Sequence, residues 1–184
     1  MRKNRILVAA ATIAVLAVSG AWADGGGAGG VTNGRQYLDL DRCLSSHDIE
    51  ELTVGGFGYG VDHHGQRVGG FGLAFFSADP MVEFEGGVGG FINGQQLSIG
   101  PLTAALVAWT GVGCLTTDVP GIAGSWITLF LEADVEVGWA ITRWMQVTGY
   151  AGMQLLTNLS PGDPFEGLFF YTPVVGARIA WGSF

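Results

Sequence analysis

The chain has 184 residues, 48% of them hydrophobic and only 13% charged, with 32 glycines. Eight basic residues against sixteen acidic ones give a formal net charge of −8. That balance excludes a nucleic-acid partner, which needs Lys and Arg to displace counterions from phosphate, and it offers no basic patch to anionic headgroups.

At the N-terminus, Arg2, Lys3 and Arg5 precede an apolar run from Ile6 to Val18, and Ala21-Trp22-Ala23 supplies a small-x-small site before Asp24. This is the three-part pattern of a secretory signal, with an apolar core too short for a comfortable spanning helix. Residues 1–23 are expected to be cleaved. That leaves Arg35, Arg42, Arg67, Arg143 and Arg178, no lysine, and all sixteen acids. Gly25 to Gly30 read Gly-Gly-Gly-Ala-Gly-Gly, so residues 24–35 are expected to form a flexible linker ahead of a single domain at 36–184.

From there apolar segments alternate with turn signals. Tyr37 to Cys43 is a weak strand candidate; Glu51 to Val61 is stronger and closes at Asp62-His63-His64-Gly65-Gln66. Arg67 to Ser77 closes at Ala78-Asp79-Pro80, and Met81 to Ile92 ends at Asn93-Gly94, a favoured hairpin pair. Leu97 to Gly113 is long and less regular, and Pro101 with its neighbouring glycines argues against a helix there. Leu115 to Ser125 reads as a loop around Pro120 and Gly121.

The clearest element runs from Ile127 to Trp139. Ile127, Leu129, Leu131, Ala133, Val135, Val137 and Trp139 share one parity; Thr128, Phe130, Glu132, Asp134, Glu136 and Gly138 share the other. Alternate side chains of a strand face opposite ways, so this strand has one apolar face and one acidic face. Its residues at about 3.4 Å each span roughly 40 Å, and a tilt of about 45° turns that into about 30 Å of rise, the thickness of a bilayer's hydrocarbon core. A tight turn near Ile141 to Arg143 leads to Trp144 to Leu156, then a loop at 157–167, then a last strand from Leu168 to Phe184.

With no helical period between the strands, the fold class is all-β: an antiparallel up-and-down transmembrane β-barrel. Such barrels use an even strand count with both termini on the periplasmic side, which makes Tyr37–Cys43 the first of eight strands. The same topology places the loops at 115–125 and 157–167 outside and the short turns at 93–96 and 141–143 inside, the usual asymmetry.

The final stretch, Thr172-Pro-Val-Val-Gly-Ala-Arg-Ile-Ala-Trp-Gly-Ser-Phe184, resembles the terminal strand of small bacterial outer-membrane β-barrel proteins, as does the hairpin from Val135 to Val147. The resemblance implies the bacterial outer membrane as location, its lipid bilayer as neighbour, and the barrel-assembly machinery as a partner that reads the aromatic C-terminal strand. Here Val175, Ala177, Ile179 and Trp181 form the outward set, while Phe184 falls off that parity. The likeness is one of pattern and specifies no activity.

Trp126, Trp139, Trp144, Tyr171, Trp181 and Phe184 lie near strand ends and read as an interfacial aromatic girdle. Glu83, Glu85, Glu132, Asp134 and Glu136 fall on polar parities, which in a barrel face the lumen, and Arg178 shares the polar face of the last strand. An eight-stranded interior is just filled by side chains, so these groups are expected to form an acidic network around Arg178 and not an open pore. The Gly-rich repeats Val54-Gly-Gly-Phe-Gly58, Val68-Gly-Gly-Phe-Gly72 and Gly86-Gly-Val-Gly-Gly-Phe91 suit a narrow barrel and match no nucleotide loop.

Cys43 and Cys114 are either a disulfide, favoured by export, or two free thiols; neither sits in a metal or redox motif. Asp62-His63-His64 reads as a solvent-facing turn, since adjacent histidines on a strand diverge and only His47 could add a third imidazole. No metal or cofactor is implied. Two other functions remain open: a soluble secreted barrel holding a small apolar ligand, which would need its acids outside, and a barrel enzyme, for which Ser45, Ser46 and His47 are the only rim candidates.

Overall fold

The computed structural model describes residues 27–39, 48–77, 84–118, 123–160 and 169–183. They form eight strands: β1 (Gly27–Asp39), β2 (Asp48–Val61), β3 (Gln66–Ser77), β4 (Phe84–Ile99), β5 (Leu102–Thr117), β6 (Gly124–Thr142), β7 (Met145–Asn158) and β8 (Phe169–Ser183). Each is antiparallel to its sequence neighbours, and β1 pairs with β8 from Gly27↔Ser183 to Gln36↔Val174, closing the sheet into a barrel. The fold is therefore the all-β, eight-stranded up-and-down barrel. No helix among the described residues is long and apolar enough to cross a membrane, which says nothing of strands.

Residues 62–65, 100–101 and 143–144 turn at the lower end, where β1 also begins. β1, β3, β5 and β7 end at the opposite, upper end, and residues 40–47, 78–83, 119–122 and 161–168 lie outside the described residues. The lower turns are locally encoded. In the first, Asp62 Oδ1 accepts from the amides of His64 and Gln66, both at 2.8 Å, and Gly65 takes φ 81°, a region that favours glycine. Those amides, Gln66 foremost, hold the exposed Asp62 carboxyl below its usual range. His63 and His64 are both exposed in this turn.

Three boundaries differ from expectation. β1 starts at Gly27, inside the run read as a linker, because its glycines pair on both sides, Gly29 with Gly58 and with Trp181. Their backbone amides have a use that composition does not reveal. Asn93-Gly94 is mid-strand in β4, and the turn falls at Gly100-Pro101, where Gly100 takes φ 60°. Gly94 is needed for closeness instead: an added Cβ would lie 3.1 Å from Val107 Cα. Finally, β5 runs on to Thr117 and β6 begins at Gly124, which shortens the expected 115–125 loop.

On β6 the outward set is Ile127, Leu129, Leu131, Ala133, Val135, Val137, Trp139 and Ile141, and the inward set includes Phe130, Glu132, Asp134 and Glu136. Outward residues of β7 and β8 are likewise uncharged, with Val147, Met153, Tyr171, Val175, Ile179 and Trp181 among them. On β2 and β3 the rings of Phe57, Tyr59, Phe71 and Phe75 turn inward, and the outer wall there consists of Gly56, Gly58, Gly70 and Gly72 beside the exposed Val54 and Val68. The two Val-Gly-Gly-Phe-Gly repeats are register partners, so Phe57 stands opposite Phe71 and both are 2% exposed. The third Gly-rich segment is out of phase, and its Phe91 points outward at 77% exposure.

Trp139, Trp144 and Trp181 are exposed around the lower end of β6 to β8, and Tyr171 is exposed near the upper end of β8. Trp126 departs from the expected girdle. It sits on the inward parity of β6, is 8% exposed, and belongs to the interior cluster. Phe184 lies outside the described residues.

Candidate functional site in the barrel interior

The interior has an aromatic side and an ionic side. Inward positions of β2, β3 and β5 bring Tyr59, Phe57, Trp109 and Phe71 into contact, and Phe130 of β6 joins them to Phe75. Ring centroids are 5.1–6.0 Å apart, within the range where edge-to-face and offset rings attract. Facing this column, β6 contributes Glu132, Asp134 and Glu136 at successive inward positions, all under 9% exposed.

Arg178 of β8 joins the two sides. Its Nη2 donates to Asp134 Oδ2 at 2.7 Å and to Glu132 Oε1 at 3.1 Å, its Nη1 donates to Glu136 Oε1, and its Nε donates to Thr32 Oγ1 at 3.3 Å. The guanidinium carbon also lies 3.6 Å from the Tyr150 ring centroid and 4.3 Å from that of Trp109. A planar guanidinium suits this position because its edge carries the donors while its faces attract π-systems. Gly34 and Gly176 make room for Tyr150, since an added Cβ at either would run into the Tyr150 ring or its hydroxyl. A Gly176→Val barrel is expected to unfold at least 5 °C below the parent by thermal melting in detergent, as the ring is driven off Arg178, at an overpacking cost of about 1–3 kcal/mol.

A second guanidinium, absent from the sequence-based network, completes the site. Arg67 of β3 donates through Nη1 to Glu136 Oε2 at 2.6 Å and through Nη2 to Gln96 Oε1 at 2.7 Å, and lies 4.0 Å from the Tyr59 ring centroid. Its parity companions Phe71, Leu73 and Phe75 are apolar, so a search for polar faces passes over it. The usable signal was the small Gly70, Gly72 and Ala74 of the opposite parity: a narrow interior must be filled by large side chains, so the bulky parity that includes Arg67 is the inward one. Below, Gln146 Nε2 bonds Thr103 Oγ1 between β7 and β5.

Two acids of the expected network stand elsewhere. Glu85 lies on the outward parity of β4, since Phe84 and Val88 occupy the inward one; alternation of a Glu with glycines did not reveal which face was which. Glu83 lies outside the described residues, as do Cys43, Ser45, Ser46 and His47 and the segment 1–23. Cys114 is a free, exposed thiol among the described residues, and the Cys43 half of the expected bridge lies outside them. Cys114 shares the outward parity of Val112 and Thr116 within β5, on the wall of the barrel and not in a loop.

No family model matches the chain, and no curated protein matches it in sequence. Among solved structures it is similar to the crystal structure of neisserial surface protein A, with a TM-score of 0.59 and 10% sequence identity over 85% of this chain and 95% of that one. At that identity the likeness is one of fold.

Proposed function

We propose that this chain is an outer-membrane β-barrel with a structural role, anchoring in the envelope and presenting the upper-end connections, its lumen closed by its own side chains. The observation that carries this reading is the inversion of the usual soluble pattern: β6 to β8 turn only uncharged side chains outward and bury Glu132, Asp134, Glu136 and Arg178. A soluble barrel around an apolar ligand needs the opposite arrangement. The exposed Trp139, Trp144 and Trp181 at one end of this wall suit a membrane–water interface. An N-terminal export signal over residues 1–23 and recognition of β8 by the barrel-assembly machinery belong to the same proposal.

A closed lumen is supported by its contents among the described residues, where aromatic rings and the Arg178 ion pairs flank two water-sized gaps. Cell fractionation is expected to recover the protein with outer membranes and to require detergent for release. Purified protein in planar bilayers is expected to show no steady conductance. Recovery in the soluble fraction sinks the membrane reading, whereas a stable open-pore current sinks only the plugged lumen.

A further inference from the structure

The Arg178 layer divides the lumen into two gaps, each with room for a body about the size of one water molecule. The upper gap is lined by Glu132, Gln154, Tyr150, Thr32 and Thr53 above Arg178. Its chemistry is incomplete in two independent ways. First, among the described residues the lumen buries three carboxylates, Glu132, Asp134 and Glu136, against two guanidiniums, Arg67 and Arg178. One negative charge is left over where charge is costly. Second, Gln154 is 1% exposed and neither its Oε1 nor its Nε2 has a hydrogen-bond partner.

We propose that the upper gap binds one monovalent metal cation of sodium or potassium size, held by the Glu132 carboxylate and Gln154 Oε1, with the Tyr150 and Thr32 hydroxyls at its border. Glu132 is available for this because its contact with Arg178, at 3.1 Å, is the longest of the lumen ion pairs. A proton on Glu132 would balance the charge but leave Gln154 unpaired, since nothing lies within bonding distance of its amide. A water would serve the amide and leave the charge. A cation answers both, because it takes up the surplus negative charge and gives Gln154 Oε1 a partner in the gap.

The test is thermal unfolding of the purified, detergent-solubilised protein at fixed pH and ionic strength, in sodium chloride, potassium chloride and choline chloride, choline being too large for the gap. The parent is expected to gain about 3–6 °C, saturably, in at least one of the metal salts over choline. Glu132→Gln and Gln154→Leu are each expected to abolish that gain. Should Glu132→Gln fail to fold, Gln154→Leu still decides, because it removes no existing hydrogen bond. Equal midpoints of the parent in all three salts overturn the proposal in favour of a proton and water. A metal-salt gain that persists undiminished in Gln154→Leu overturns it as well, by placing the ion elsewhere. Neither result bears on where the barrel resides in the cell.

Discussion

Replacing Arg178 by Met is expected to destabilise the barrel by about 3–5 kcal/mol, the usual consequence of deleting one partner from a buried ion network. The side chain is 3% exposed and carries bonds to Glu132, Asp134 and Glu136, so its loss leaves three buried carboxylates with Arg67 alone. The readout is the temperature at which the compact, fast-migrating form disappears on an electrophoretic gel. Arg67→Met serves as comparator: its carboxylate partner Glu136 keeps Arg178, so the loss should be smaller. Combining Arg178→Met with Glu132→Gln and Asp134→Asn should recover part of the stability, because the remaining Glu136 and Arg67 then form one balanced ion pair. A parental heat profile for Arg178→Met would show that the network contributes nothing to the fold.

Val135→Arg is expected to cost about 2–4 kcal/mol, the penalty for arginine at mid-depth on the outer wall of a membrane barrel. Val135 is 57% exposed on β6, opposite Leu106 of β5 at 64% and Ala151 of β7. The control is Ser125→Arg, exposed at the upper end of the same strand, where the penalty near an interface falls to about 0–1 kcal/mol. Urea unfolding from phospholipid vesicles measures both. In a soluble barrel the two substitutions are equivalent surface changes, each within about 0.5 kcal/mol. Equal small effects at the two positions would therefore remove lipid from the description of this wall.

Legibility of the fold differed from one part of the barrel to another, for a physical reason. β6 could be read directly because its two faces differ in polarity from Leu131 to Val137, where Glu132, Asp134 and Glu136 alternate with apolar residues. β2 and β3 could not be oriented that way, since from Val54 to Gly60 and from Val68 to Ala74 both faces are apolar and differ in size instead. Phe57 and Phe71 point inward and glycine lines the outer wall, a contrast that a polarity search does not register. Arg67 was hidden by the same contrast, whereas Glu85 shares the outward and more polar parity of β4 with Asn93 and Gln95, so polarity does not mark the lumen on that strand. Trp126 shows a related failure: position near a strand end suggests an interfacial ring, but parity decides which side of the wall it occupies. Asn93-Gly94 had the letters of a turn without the location, because a narrow interior also uses glycine to let strands and side chains approach.

The seam between β1 and β8 has a bearing on biogenesis. Arg178 reaches across it to Thr32, so the cation that neutralises the acids of β6 arrives on the last of the eight strands. A chain is synthesised from its N-terminus, and long-range strand pairing is slow because its ends must first meet. During that interval the three acids of β6 have, among the described lumen residues, Arg67 as their counter-charge. Completion is thus electrostatically marked: a product cut short before β8 lacks both its closing edge and its neutraliser, and repulsion among Glu132, Asp134 and Glu136 favours keeping it open. The finished barrel and the unfinished one differ in the charge state of their interior as well as in length.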